Sequence, residues 1–133
     1  MTELTRVVPE YGLRQVYNGT GGTLLQGSLV KLKAAPTYKN EIEAAAADAD
    51  PVLGVLMAAL PNLSYGDCQI TGRALVLAVG AIAVGVNVMP AAGGTVDTGT
   101  APHTCVGLTV TAGAAGELCE VELAGPGGKA IAV

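Results

Sequence analysis

The sequence predicts an all-β protein: a compact, β-barrel-like body made of two similar strand-rich repeats, with an extended N-terminal arm. Three observations carry this. The apolar half of the composition is Ala, Val and Leu, with no Phe or Trp and nineteen Gly to interrupt it. Branched side chains broken up by glycine favour strands and tight turns over helices. The apolar runs are short and bounded by Gly, Asn and Pro, which is the spacing of a barrel or sandwich. Finally, one part of the chain matches another.

The match begins at "GTLLQGSLV" (22–30) and "GAIAVGVNV" (80–88), which share Gly-x-[Leu/Ile]-x-x-Gly-x-x-Val. It resumes at "VLGVLMAA" (52–59) against "CVGLTVTA" (105–112), and at "DCQITG" (67–72) against "EVELAG" (120–125). Within this second block Gly54 pairs with Gly107 and Gly72 with Gly125 without a gap. The first copy carries the longer insert, "APTYKNEIEAAAADAD". Self-similarity of this kind outranks local hydropathy in reading a fold. Two copies cannot stack as a solenoid, so the expectation is a closed, pseudo-twofold β structure with halves at about 16–74 and 74–130.

Taken in order, residues 1–15 are a polar, Pro-containing arm without a clear period, and 16–133 form a single β domain. Strands are expected near 15–18, 28–34, 52–59, 66–71, 73–79, 86–89, 105–111 and 117–124. Turns fall at "NGTGG" (18–22), "GDC" (66–68), "AAGG" (91–94), "AGAAG" (112–116) and "GPGG" (125–128). The insert segment "NEIEAAAADAD" reads as one or two helical turns, since Ala and Glu are good helix formers, or as an acidic surface loop. The tail "KAIAV" offers a final edge strand.

The uncharged stretch from Ala74 to Val96 raises the question of a membrane span. A spanning helix needs about 20 apolar residues. Here Gly80, Gly85, Pro90, Gly93 and Gly94 interrupt the run, and no aromatic belt flanks it. The repeat explains it better: the last strand of copy one, a turn, and the first strand of copy two. No membrane partner is expected.

Composition excludes further classes. The net charge is −4, and the seven basic residues cluster only at Lys31 and Lys33, so no nucleic acid is expected. Cys68, Cys105 and Cys119 are odd in number and irregular in spacing. They read as reduced, half-buried small apolar residues of a cytosolic product. The first fifteen residues contain no apolar core of a secretory signal.

No catalytic constellation emerges. His103 and Cys105 make one His-x-Cys pair, where structural zinc wants four ligands and catalytic zinc three. The same pair lacks an orienting third group for a thiol nucleophile. "GPGGK" lacks the spacing and the following helix of a phosphate loop, and "GTGGT" opens a strand rather than a helix. Glu117, Glu120 and Glu122 read as a solvated strand face. Glu41, Glu43, Asp48 and Asp50 lack the spacing of a calcium loop. No enzyme activity, metal or cofactor is expected.

The matched units, "VYNGTGGTLLQGSLVKL", "PVLGVLMAAL", "GDCQITGRALVLA", "GAIAVGVNVMPAAGGTV" and "VGLTVTAGAAGELCEVEL", resemble the small capsid cement, or head-decoration, proteins of tailed bacteriophages. The resemblance covers roughly residues 16–124. It implies a non-enzymatic protein on the outer surface of the virion capsid, made in the host cytoplasm. It also implies the major capsid protein as partner and self-association, commonly as trimers. On this reading the arm is the capsid-binding element, with Leu4, Arg6, Val7, Val8, Tyr11, Leu13 and Arg14 as its contacts. An extended arm can add a strand to a neighbour's open sheet edge. The alternative is a ligand-binding β module, carbohydrate-binding or adhesive, against which the missing Phe and Trp count.

Overall fold

A computed structural model describes residues 12–100, 102–125 and 128–131. The regular elements among those residues are all strands, apart from one 3-10 turn at Ala92–Gly94. The first half contributes β1 (Leu13–Asn18), β2 (Leu29–Leu32), β3 (Glu41–Ala44), β4 (Gly54–Leu56) and β5 (Ser64–Gln69). They close into a barrel in the order β1-β3-β2-β4-β5, with β5 returning to β1. The second half contributes β6 (Arg73–Leu77), β7 (Asn87–Ala91), β8 (Thr95–Thr98), β9 (His103–Cys105), β10 (Gly107–Thr109), β11 (Leu118–Leu123) and β12 (Lys129–Ile131). Its main sheet runs β6-β11-β10-β7-β8, and β9 pairs separately with β12.

The two halves share one strand order: the first closes fully into a barrel, and the second is a five-stranded sheet curled until its edge strands meet at a lone bridge, an open barrel. Strands β6, β7, β8, β10 and β11 repeat β1, β2, β3, β4 and β5, pair for pair and in register. Leu29 faces Val55 in the first half, and Asn87 faces Leu108 in the second. Tyr17 faces Tyr65 as Leu77 faces Leu118. Even the parallel contact recurs: Asn18 with Ile42 in the first barrel, and a lone bridge from Ala78 to Val96 in the second. Glycines hold the same left-handed positions, Gly27 at φ 84° and Gly85 at φ 77°, where other residues are strained.

The stretch Ala74 to Val96 thus runs through β6, a turn and β7 into β8. Among the described residues no helix is long and apolar enough to cross a membrane. Other expectations need correction. The acidic insert is neither helix nor plain loop: Glu41–Ala44 is the barrel strand β3, seated between β1 and β2. Backbone bonding to β1 and β2 outweighs the helix propensity of Ala and Glu there. "GDC" at 66–68 lies inside β5, and the turn comes earlier, where Leu63 has φ 60°. The strand expected at 105–111 is split at Val106, whose N–H donates to Val88 O while β9 leaves to meet β12.

Strand alternation fills each barrel with small side chains. Val16, Val30, Ile42, Leu53, Leu56, Leu60 and Cys68 form the first interior. The matching residues of the second are Val76, Val88, Val96, Val106, Thr109, Gly113 and Val121, fewer atoms in all. Buried Thr109 is satisfied, since its hydroxyl donates to Ala83 O at 2.7 Å. One exchange keeps the packing complete. Leu60 lies over Gly66, where an added Cβ would sit 2.7 Å from its Cδ1. The equivalent pair is reversed in size, Gly113 over Cys119, at 3.3 Å from Cβ to Sγ.

The barrels meet head to tail rather than about a twofold. Leu29, Ala45, Val52 and Val55 of the first half are buried in one cluster with Ala74, Val76, Ala78, Val88 and Val121 of the second. Leu77 N–H donates to Gly27 O, Gly94 N–H to Ala45 O and Thr104 N–H to Asp48 O, at 3.0, 2.8 and 2.7 Å. A twofold would require the reciprocal contact from Tyr17 to Gly85. Instead Tyr17 N–H donates to Asn40 O of its own half, and the space over Gly85 is open. Side chains follow this asymmetry: buried Leu29 becomes exposed Asn87, and half-buried Leu13 becomes exposed Arg73.

Two predictions follow from the packing. A Cβ at Gly54 would strike the carbonyl oxygen of Gln69, fixed in the β4–β5 ladder. Gly54→Ala should therefore cost about 2 kcal/mol in denaturant unfolding. Gly80→Ala, in open space, should be neutral or slightly stabilising. Leu60→Ala should cost roughly 2–4 kcal/mol. Adding Gly66→Ala to it should cost less than the sum of the two single changes, because the pair shares one volume.

Candidate interaction surfaces

Among the described residues, the His and Cys side chains that suggested chemistry are buried. His103 is buried in β9, and neither ring nitrogen has a partner among the described residues. Burial pushes the Cys68 thiol up to about 12, and burial likewise raises those of Cys105 and Cys119. A thiol kept protonated is a poor nucleophile and a poor metal ligand. Among the described residues no three potential ligand side chains converge.

Of the residues expected to contact a capsid, Leu4, Arg6, Val7, Val8 and Tyr11 lie outside the described residues. Leu13 and Arg14 belong to β1, paired with Gln69 and Cys68. The body's own strand thus begins at Leu13, and Ile70 N–H also donates to Gly12 O at 2.7 Å.

Two apolar surfaces stand out. The first gathers three of the four tyrosines. In β1, Val16 and Asn18 turn inward, so Tyr17 turns out and meets Tyr65 across the β1–β5 ladder. Tyr38 arrives from the insert, its ring centroid 4.6 Å from that of Tyr17, with Tyr65 at 4.8 Å on the other side. Tyr17 is buried between them, while Tyr38 and Tyr65 are about half exposed and Leu63 nearby is 68% exposed. Burial raises the Tyr17 hydroxyl pKa, helped by Tyr38, Tyr65 and Glu41.

A buried carboxylate holds this face in place. Glu41 Oε1 accepts the N–H groups of Thr37 and Tyr38 at 2.8 and 3.2 Å, and Lys33 Nζ donates to Oε2 at 3.3 Å. Those two backbone bonds, then Lys33, hold the carboxyl below the usual range against the opposing effect of burial. Asp50 is lowered in the same way by the Ala46 and Ala47 N–H groups and by Lys31. Nothing local in the sequence brings Tyr17, Tyr38 and Tyr65 together. The register of β1 with β5 does so, and that register is set by the whole barrel.

The second surface lies on the seam between the barrels. Leu25, Met57, Leu75 and Leu118 are 38–60% exposed around a groove of about 240 Å³ between β4 and β6. Val55, Met57, Gln69, Ala74, Leu75 and the cation Arg73 line it, while Leu118 lies over Gly27. Acidic residues border it. Glu120 pairs with Leu75 across the ladder, Glu117 precedes Leu118, and Glu122 is bound by Arg73 at 3.4 Å.

A carboxylate with a lowered pKa stabilises the fold above its ordinary value near 4.5, and this contribution is lost as pH falls through the folded pKa. Thermal melts should therefore be flat from neutral pH to about 5 and fall below it. Glu41→Gln should lower the melting temperature at pH 7 and make the acid-side fall shallower, leaving the share of Asp50. Tyrosine fluorescence of this variant should report loosening of the Tyr38 ring.

No protein-family model and no curated protein matches this chain. A solved structure does. The chain is similar to the crystal structure of the head fiber gp8.5 N base of bacteriophage phi29, at 18% identity and a TM-score of 0.68, over 84% of this chain and 92% of that one. At that identity the likeness is one of fold: the two chains share this tandem β architecture.

Proposed function

We propose that this chain is a structural protein of a tailed-phage virion, one that decorates the outer surface of the head and stabilises it by binding several major capsid subunits. The observation that carries the proposal is the fold shared with the base of a phage head fiber over 84% of the chain. The sequence resemblance to head-decoration proteins points the same way from independent features. The buried thiols and scattered polar groups suit a role in binding rather than chemistry.

In this reading the body is a rigid block. Residues before Gly12 reach the shell, with Leu4, Arg6, Val7, Val8 and Tyr11 as contacts and Leu13 and Arg14 at their root in β1. Each contact is weak, and affinity comes from many contacts made at once around a symmetric assembly. Self-association, as a homotrimer, multiplies the arms per particle and covers exposed apolar surface. One observation favours a second reading: the half-exposed rings of Tyr38 and Tyr65 offer stacking faces for a sugar.

Deletion of residues 2–11 tests the assignment, since it spares Gly12 and the β1 ladder. The shortened protein should melt at the same temperature yet fail to co-sediment with expanded capsids of its cognate major capsid protein. Full decoration by the truncated protein would move the contact to the body. Failure of the full-length chain to bind, with retention on a glycan column, would favour the sugar reading.

A further inference from the structure

One row of paired residues leads from the interface between the halves to the start of β1. Leu29 faces Val55, Val55 faces Gln69, and Gln69 faces Leu13. Residues paired across neighbouring strands share a sheet face. Leu13 therefore stands on the outer face where Val55 and Gln69 line the seam groove. The eleven residues before Gly12 leave the body at the rim of that groove. Fully extended they span up to about 36 Å, against roughly 17 Å for the five residues of β6 along its wall. At about 240 Å³ the groove is smaller than the ~300–1,000 Å³ of small-molecule sites and suits one or two aliphatic side chains.

The wall formed by β6 offers backbone as well. Ala78 N–H donates to Glu117 O and Leu123 N–H to Gly72 O, so even-numbered residues of β6 bond toward β11. Odd-numbered ones turn the other way. Leu77 N–H donates to Gly27 O and Arg73 O accepts from Gln69 Nε2, and the N–H and C=O of Leu75 between them face the groove. Side chains along this wall run cation, apolar, anion: Arg73, then Leu75, with Glu120 paired to Leu75 and Glu117 beyond. Read back from Gly12, the chain runs anion, apolar, cation: Glu10, Val8, Arg6, each two residues from the next and so on one side of an extended segment.

We propose that residues 6–10 fold back into the seam groove of their own chain as an antiparallel strand on β6. Val8 pairs with Leu75 and packs against Met57, Glu10 lies beside Arg73, and Arg6 turns toward Glu120. In this register Pro9 falls opposite Ala74, whose backbone is turned to β11, so its missing N–H breaks no bond. The contact belongs to the free chain and goes beyond the capsid reading: residues that reach a shell must first leave the groove. Ordering the segment costs conformational entropy, which weighs more as temperature rises. The latch therefore opens below the melting transition and leaves that temperature unchanged.

Disulfide trapping in the full chain tests this, since the native thiols are buried. Val8→Cys/Met57→Cys should close an intramolecular disulfide at least tenfold faster than Val8→Cys/Leu63→Cys, because exposed Leu63 lies at the other end of β5. Glu10→Arg and Arg6→Glu, each added to the first pair, should slow closure at least threefold. Hydrogen exchange gives a second readout: deletion of residues 2–11 should speed the Leu75 amide at least threefold and leave that of Val76, turned to β11, unchanged. Equal rates for the two cysteine pairs, or a Leu75 amide indifferent to the deletion, overturn the proposal. Disulfides that form only between copies overturn it in favour of an exchanged arm. Closure indifferent to both charge changes overturns the register. None of these measurements involves a shell, so this inference and the capsid reading fail separately.

Discussion

The close approach of β4 to β5, and of β10 to β11, is the constraint on which the rest depends. At Gly54 and Gly107 the strand backbone passes so near its neighbour that any side chain would meet a carbonyl oxygen, of Gln69 or of Glu122. Barrels drawn this tight have narrow interiors. Valine, leucine and cysteine fill them, and a large aromatic ring has no room, which accounts for a chain without Phe or Trp. Close packing leaves no slack, so a gain of volume at one position is matched by a loss at its neighbour. Leu60 over Gly66 and Gly113 over Cys119 are two solutions of that one condition.

The internal repeat builds two such β units, and burial distinguishes them. The face of β2 and β4 is leucine and valine in the first half because the second barrel lies against it. In the second half nothing among the described residues covers that face, and asparagine stands where leucine stood. The opposite face shows the complementary change. Leu77 gives its N–H to the other barrel, whereas Tyr17 gives its own to Asn40, and the insert folds over it with Tyr38. The longer first copy therefore has a structural use: it replaces a missing neighbour.

Much of this was legible in the sequence, and the remainder was hidden for physical reasons. The repeat, the all-β class and most strands follow from glycine spacing and short apolar runs, since those encode turns and alternation directly. The strand Glu41–Ala44 was hidden because its composition favours a helix and only partners distant in sequence make it a strand. Gly66 and Asp67 imitate a turn, although Gly66 is glycine to make room for Leu60. The head-to-tail contact was written in the exchange of Leu29 for Asn87, but that difference has meaning only once the barrels are placed. The tyrosine face depends on the β1–β5 register and on the clasp at Glu41, neither of which leaves a local pattern.

The closure of the second barrel has a consequence of its own. Its two edge strands meet at the single parallel bridge between Ala78 and Val96, with Val79 N–H donating to Val96 O at 2.9 Å. A ring fastened by one bridge has fewer backbone bonds to break there than along any antiparallel pair, so amides on that line are expected to exchange before those of the ladders. The first half, closed by full ladders on every side, has no such line of weakness.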